Sequence, residues 1–531
     1  VLLWTLVPIR FLRKIDKVDA TTAYSELIEK IKETAILRSI YTNLTWDQYV
    51  CLPSEGANIT SKKLGYIHRL YHEKFTDSRI GELLSMLEES SLVIDPYSDE
   101  AANIREIRRQ YDKEIKISKE LIQELSETRS IATNEWAKAK KESNFKLFLP
   151  WLEKLVDIKR RMAEAYGYED EPYTALLDSF EPGVNAGAIS DIFHDLRRFL
   201  TGFMYAIENA STEVDGRFLE RPCDIEHQKI FSEMVSASIG YDFKSGRIDV
   251  SEHPFTMSIG PGDTRITTRY NPNRFSEAVF GTIHETGHAL YEMGLDKENH
   301  FGEPIGSAIS AGVHESQSLM WENIVGRSRE FWTYFLPQAK SIFREALGEV
   351  SLDQFYRAIN RVAPSYIRVE ADEVTYNLHI ILRFEIERAL INGELKPEEV
   401  PAMWNSRFKK SIGIEVDDDA KGCLQDIQWS LGQFGYFPTY TLGHLYAAQF
   451  FDKAKSDIPN LAEQFEKGEF FHFREWLRKN IHAHGSRYTP AELCEKITGK
   501  PLSHHSFVDY ITCKFSELYG IQFSGNTVSE H

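Results

Sequence analysis

The chain has 531 residues, 42% hydrophobic and 27% charged, the proportions of a folded globular protein and not of a disordered or fibrous one. Its formal net charge of −18 excludes a nucleic-acid groove as the main function and disfavours anionic membranes. Five sparse cysteines, Cys51, Cys223, Cys423, Cys494 and Cys513, with no CxxC pair, exclude a disulfide framework and a cysteine metal site and suit a reducing compartment, so a cytoplasmic location is expected.

Val1 to Leu12 are apolar apart from Thr5 and Arg10. The run is too short to span a bilayer, and its basic residues follow the apolar ones, against a signal peptide. Residues 1–18 are expected to be a non-native or disordered segment. Residues 19–523 are expected to form a single, mostly helical body, and 524–531 a frayed tail. Residues 19–38 read as an amphipathic helix, with Tyr24, Leu27, Ile28, Ile31 and Ile36 near one face. Further helices are expected at 61–73 and at 77–87, the latter capped by Asp77. From 100 to 168, helical periodicity with alternating charge predicts two long helices broken at Pro150. Helices follow at 185–212 and 225–239.

The character changes at 243–270. Alternation in Arg265-Ile266-Thr267-Thr268-Arg269 and the turn Gly260-Pro261-Gly262-Asp263 predict two or three short strands. Their edge is suited to take an extended peptide as an added strand. Then comes His284-Glu285-Thr286-Gly287-His288, on a helix expected to be capped by Ser276 and ended by Gly294. On a helix, residues four apart lie about 40° apart around the axis, so His284 and His288 offer two imidazoles from one face. Glu285 is rotated about 100° away, beside a metal-bound water without being a ligand. Gly281 and Gly287 cost helix propensity and make sense where backbone or substrate comes close. A catalytic zinc takes three protein ligands. The third is expected from His314-Glu315, on a helix at 307–325. Adjacent helical side chains diverge, so only one of the two binds the ion, and Glu315 is favoured over His314. An ion there acidifies a bound water, and Glu285 takes its proton. Helices follow at 331–346, 351–360, 374–391, 397–410 and 460–519. An aromatic-rich stretch at 434–449 is interrupted by Pro438.

Several motifs in order carry a resemblance. They are Trp46-Asp47, His253-Pro254-Phe255, Asp263-Thr264-Arg265-Ile266-Thr267, the 284–288 pentad and His314-Glu315-Ser316-Gln317. Downstream come Ile367-Arg368-Val369-Glu370-Ala371-Asp372, Gly422-Cys423-Leu424-Gln425-Asp426-Ile427-Gln428-Trp429, Phe434-Gly435-Tyr436-Phe437-Pro438-Thr439-Tyr440 and the run from Trp476 to His484. In this set the chain resembles the carboxypeptidase Taq family of metallocarboxypeptidases, from about residue 20 to 519. The resemblance implies a mostly α, zincin-like body with a deep groove and a small sheet beside the HExxH helix. It implies release of single C-terminal residues from peptide substrates with broad preference, and commonly a homodimer. His284, His288 and Glu315 are implied as ligands and Glu285 as general base, with Zn²⁺ as default ion and Co²⁺ or Mn²⁺ as substitutes.

Within that resemblance, Arg368 is the candidate for the substrate's terminal carboxylate, against a structural ion pair with Glu370 or Asp372. Tyr440, then Tyr436, are candidates for an oxyanion donor, against core aromatics. Asp263, Arg265 and Gln425 resemble determinants of groove shape and substrate length, with turn or strand roles as the alternative for the first two. His253 either bonds substrate or caps a strand. Gln428 stands where the family usually has histidine, so no charge is carried there. His482, His484, His504 and His505 are expected at the surface. The other readings are a helical zinc oligopeptidase or dipeptidyl carboxypeptidase, and a non-catalytic helical binding protein.

Overall fold

The structure, a computed structural model, describes residues 17–212 and 214–523. Apart from Lys17 and Val18, the segments expected to be disordered or frayed lie outside the described residues. The first helix, α1 (Lys17–Val50), runs past the expected end at Arg38, because no Gly or Pro interrupts it before Pro53. It pairs with α2 (Ala57–Phe75). Asp77 caps α3 (Ser78–Leu87), accepting the Arg79 N–H at 2.9 Å. The stretch read as two helices is three: α4 (Asp99–Lys116), α5 (Lys119–Lys141) and α6 (Phe145–Tyr166). Ser118 and Asn144 start the second and third by accepting backbone N–H groups. Pro150 lies inside α6, in its second turn, where it costs one backbone bond without ending the helix. Helices α1, α3 and α4 bury a core of their own, including Leu27, Ile31, Ile80, Leu83, Leu84 and Ile107.

The larger core belongs to the rest of the chain. Helices α5 and α6 enter it first, followed by α7 (Pro172–Leu177), α8 (Ala186–Glu208) and α9 (Ile225–Ile239), the last stopped by Gly240 in the left-handed region. Three strands follow: β1 (Ile248–Val250), β2 (Thr256–Gly260) and β3 (Asp263–Thr268). The order is β1-β3-β2. β1 runs parallel to β3, with Ile248 opposite Ile266, and β2 runs antiparallel to it, with Thr256 opposite Ile266. Ile266 turns its side chain into a cluster with Tyr241 and Ala289, so the sheet lies on the next helix, α10 (Phe275–Gly294). β2 is left as an edge.

After α10 come α11 (Ala311–Leu319) and, continuous with it, a π-helical segment Met320–Val325. The body is completed by α12 (Arg329–Ile342), α13 (Arg344–Leu347), α14 (Leu352–Ile359), α15 (Tyr376–Asn392) and α16 (Val400–Ile412). Pro438 does not interrupt the aromatic stretch. It is the first residue of α17 (Pro438–Asp457), where its missing N–H costs nothing. Helices α18 (Leu461–Glu466), α19 (Phe471–Asn480), α20 (Pro490–Thr498) and α21 (His505–Tyr519) close the chain. Phe231, Phe275, Trp332, Phe355 and Trp404 are among the rings buried in this core. Among the described residues, no helix is long and apolar enough to cross a membrane.

Candidate active site

Helix α10 begins at Phe275 behind Arg274, so Ser276 is inside it and is not the cap. Its buried face carries Ala278, Val279, Ile283 and Leu290, which turns His284 and His288 to the opposite side. Their rings are 4.8 Å apart. Nδ1 of His284 donates to Glu322 Oε2 at 2.9 Å, and Nδ1 of His288 donates to the His314 carbonyl at 3.1 Å. Each ring is thereby locked with Nε2 facing Glu315, at 3.9 Å and 3.5 Å from its carboxylate oxygens. Donor atoms of His284, His288 and Glu315 all lie within 4.8 Å of one another.

This donor set fits a divalent metal, since two imidazole nitrogens and a carboxylate converge while the outward nitrogens are held by acceptors. Charge balance agrees. Burial disfavours a charged His284, yet Glu322 and Glu315 outweigh it and push the ring up to about 10. Burial likewise works against the Glu315 carboxylate, but His288 and His284 bring it down to about 2. Burial, with His314 alongside, lowers His288 to about 4, which keeps its Nε2 lone pair available. His314 itself bonds Glu292 Oε1 through Nε2 at 2.9 Å and stacks on His288 at 4.4 Å. Of the adjacent pair, it is Glu315 that joins the cluster.

Glu285 is buried beside these ligands and also lines the groove. The Thr256 hydroxyl of β2 lies 2.7 Å from its Oε2. Burial raises its carboxyl, against the lowering pull of His284. The groove itself has a volume of about 2050 Å³ and includes β2 and Arg38 and Tyr41 of α1 in its walls. Gly287 meets the backbone of Gln317 and Ser318, where an added Cβ would come within 2.7 Å. Gly281 has nothing within 4 Å and faces the groove. The two glycines thus serve different ends.

Arg368 is 7% exposed in the same groove. Its backbone N–H donates to Gln425 Oε1 at 2.9 Å, its Nε to Asp426 Oδ1 at 3.0 Å and its Nη1 to the Tyr376 hydroxyl at 2.9 Å. The alternative ion pairs are not formed. Asp372 accepts backbone N–H groups of Ala363, Val374 and Thr375, and Glu370 is exposed. Arg383, fully buried, donates to the other oxygen of Asp426 at 2.6 Å. Burial opposes the Asp426 charge, but Arg383 and Arg368 prevail and hold it at about 2. The Arg368 guanidinium lies 5.1 Å from the Tyr440 ring, which packs on Tyr436 at 5.3 Å. Both tyrosines line the groove and feel the Glu315 charge.

The other expected positions divide between the groove wall and the rest of the body. Asp263 and Arg265 pair with each other at 2.7 Å, and Arg265 covers the Trp46 ring at 5.5 Å. They are not among the groove-lining residues; alternation along β3 turns them toward α1. Gln425 lines the groove, but its Nε2 is committed to the carbonyls of Tyr366, Lys421 and Gly422. His253 lines the groove at an exposed position. Gln428 also lines it, and its Oε1 is buried without a hydrogen-bond partner. His482 is not at the surface: it is 1% exposed and bonds Gln317 Oε1 at 3.0 Å. His484 packs on Tyr488, and His504 and His505 stack on each other.

Four contributors escaped the sequence reading: Glu322, Thr256, Tyr376 and Asp426. Asp426 stood inside a quoted motif. Glu322 lies 38 residues from His284, and no spacing rule links them.

The family model for the carboxypeptidase Taq (M32) metallopeptidases matches residues 26–515. The chain is 44% identical over 510 residues to thermostable carboxypeptidase 1 of Thermus thermophilus, covering 94% of this chain and 99% of that one. It is 36% identical to carboxypeptidase 1 of Bacillus subtilis, with 94% and 99% covered. The solved M32 carboxypeptidase from Deinococcus radiodurans R1 is similar with a TM-score of 0.91 at 35% identity, over 94% of this chain and 100% of that one.

Proposed function

The chain belongs to the carboxypeptidase Taq family of metallopeptidases and is a metal-dependent carboxypeptidase, and we propose on that footing that it releases single residues from peptide C-termini with broad side-chain preference. His284, His288 and Glu315 hold the ion, with Zn²⁺ as the default metal and Co²⁺ or Mn²⁺ able to replace it. The ion, when bound, supplies Lewis acidity to a carbonyl and acidifies water.

The chain's own residues do the rest. One oxygen of Glu285 is engaged by Thr256. The other takes the proton of the attacking water and returns it to the leaving amine. Burial, by raising the carboxyl, makes that exchange easier near neutral pH. Glu322, braced by Arg327 at 3.1 Å, fixes the His284 ring. The hydroxyl of Tyr440, with Tyr436 as the alternative, donates to the developing oxyanion. The free side of β2 aligns the peptide as an added strand.

The observation that carries the exopeptidase reading is the charge of the groove wall. Arg368 and Arg383 share the carboxylate of Asp426, so Arg368 has no carboxylate of its own in a buried site. A buried charge needs a partner, and a substrate's terminal carboxylate supplies it at the Arg368 edge. Blocked peptides with free and amidated C-termini test this. Free acids should be cut and amides should not, and Arg368→Met should abolish the difference. Equal cleavage of amides would reject the anchor. Mass spectrometry of products separates single-residue release from the dipeptidyl alternative.

A further inference from the structure

Glu181 is a carboxylate that the catalytic scheme does not use. It is fully buried, and every group that bonds it is neutral. Ser310 Oγ donates to Oε1 at 3.0 Å and the Gly312 N–H to Oε2 at 2.9 Å, with the Tyr446 hydroxyl as a third partner. Burial without a cation pushes its carboxyl up to about 7. An isolated carboxylate is costly to bury, and this one sits at the start of α11, the helix that carries Glu315.

A helix begins with N–H groups that have no partner in the helix itself. In α11 three of them are taken up by three acceptors. The Ala311 N–H donates to the Phe180 carbonyl at 2.9 Å, the Gly312 N–H to Glu181, and the Val313 N–H to Ser310 Oγ at 3.0 Å. The Ser310 hydroxyl is itself tied to Glu181. Glu315 follows one turn later. Gly312 leaves room for the clamp: an added Cβ would meet Glu181 Oε2 at 2.7 Å. On the far side, a Cβ on Gly443 of α17 would meet Glu315 Cγ at 2.7 Å. The stem of Glu315 therefore has little lateral freedom, and its remaining freedom is the placement of the helix start. The ring of Phe180 packs edge-on against Tyr436 at 5.2 Å, so the same two-residue segment registers the ligand helix against the tyrosine wall.

We propose that Glu181 is a positioning residue for the metal-binding carboxylate, fixing the start of α11 and hence the place of Glu315 through its bonds to Ser310 and Gly312. This rests on the reading that Glu315 binds the ion. Outer partners of metal ligands are worth about 10- to 100-fold in metal affinity, and Glu181→Ala should lose that much.

The test is equilibrium dialysis of purified full-length protein against Zn²⁺ with a competing chelator, alongside melting of the metal-free forms. Wild type must bind one ion and His288→Ala must not; failure there rejects the ligand set and not the role of Glu181. Glu181→Gln keeps an acceptor for Gly312 and can donate to Ser310, so it should stay within about threefold of wild type, the worth of one neutral hydrogen bond. Gly312→Ala drives a methyl into the carboxylate without deleting it and should weaken binding as Glu181→Ala does, which keeps the test open if the latter fails to fold. Wild-type affinity in both Glu181→Ala and Gly312→Ala, whatever their melting temperatures, would overturn the proposal. So would a glutamine variant as weak as the alanine one.

Discussion

Glu285 has two oxygens in different surroundings, one engaged by Thr256 and one toward the groove. Replacement by glutamine keeps the Thr256 contact and the neighbouring ligands but removes the proton acceptor. Glu285→Gln should therefore bind metal as wild type does and lose about 10²- to 10⁴-fold in kcat, read by single-turnover hydrolysis and dialysis. Retention of most turnover would refute the base role. His482 makes a different residue-scale prediction. Burial lowers its ring from 6.5 to about 3, so the unfolded chain binds a proton that the folded one refuses between those values. Its contribution to stability is whole above about pH 6.5 and is lost as pH falls toward 3. The slope reaches about 1.4 kcal/mol per pH unit. His482→Gln, which retains a partner for Gln317, should show a shallower loss of urea stability of the metal-free protein between pH 6.5 and 4. An unchanged slope would mean that the ring is not buried neutral.

At the scale of elements, α10 and α11 must approach closely for their side chains to meet at one point, and Gly287 is where their backbones come together. Gly287→Ala should cost about 1–3 kcal/mol through overpacking and weaken metal binding, although alanine is the better helix former. Gly281→Ala on the same helix has no neighbour to strike. It should gain up to about 1 kcal/mol from helix propensity while raising KM, because its methyl enters the groove. Denaturation midpoints and steady-state kinetics of the pair check the contrast; similar behaviour of both would remove it. The HExxH motif and the cap at Asp77 were legible as elements because they are local, whereas the cap expected at Ser276 falls inside α10. The three-helix count in 99–166 was not, since Pro150 looks like a break in sequence but sits in a turn that tolerates it. Pro438, read as an interruption, opens a helix, where its missing N–H costs nothing.

For the whole molecule, the two cores differ greatly in extent. The cluster of α1, α3 and α4 is small and separate from the one that buries α15 and α17. Besides the contacts of Arg109 and Lys113 with Asp178 and of Lys116 with the Tyr166 carbonyl, two further seams tie it to the body. One is Trp46 and Tyr49 on Phe255, at 5.5 Å and 5.7 Å. The other is Asn103 and Arg105, which bond Glu303 and the carbonyl of Arg487. A small core opens at lower free energy. In hydrogen exchange, amides of α1 and α3 should exchange ahead of those in α15 and α17 under native conditions. Uniform protection across both sets would show that the seams make one cooperative unit.

The sequence alone determined the metal helix, the ordered motifs and the strand–turn–strand ahead of them, because periodicity, caps and a pentad at helical spacing act over a few residues. It also favoured Glu315 over His314 as the third donor, because two histidines and a glutamate are a common catalytic set. Only the tertiary structure decided what lies far apart in the chain and close in space. It paired Arg368 with Asp426 instead of Glu370 or Asp372, committed Gln425 to backbone, turned Asp263 and Arg265 out of the groove, and buried His482. Each of these is a matter of which group satisfies a buried charge or polar atom, and such partners are set by how helices dock, which no local spacing encodes.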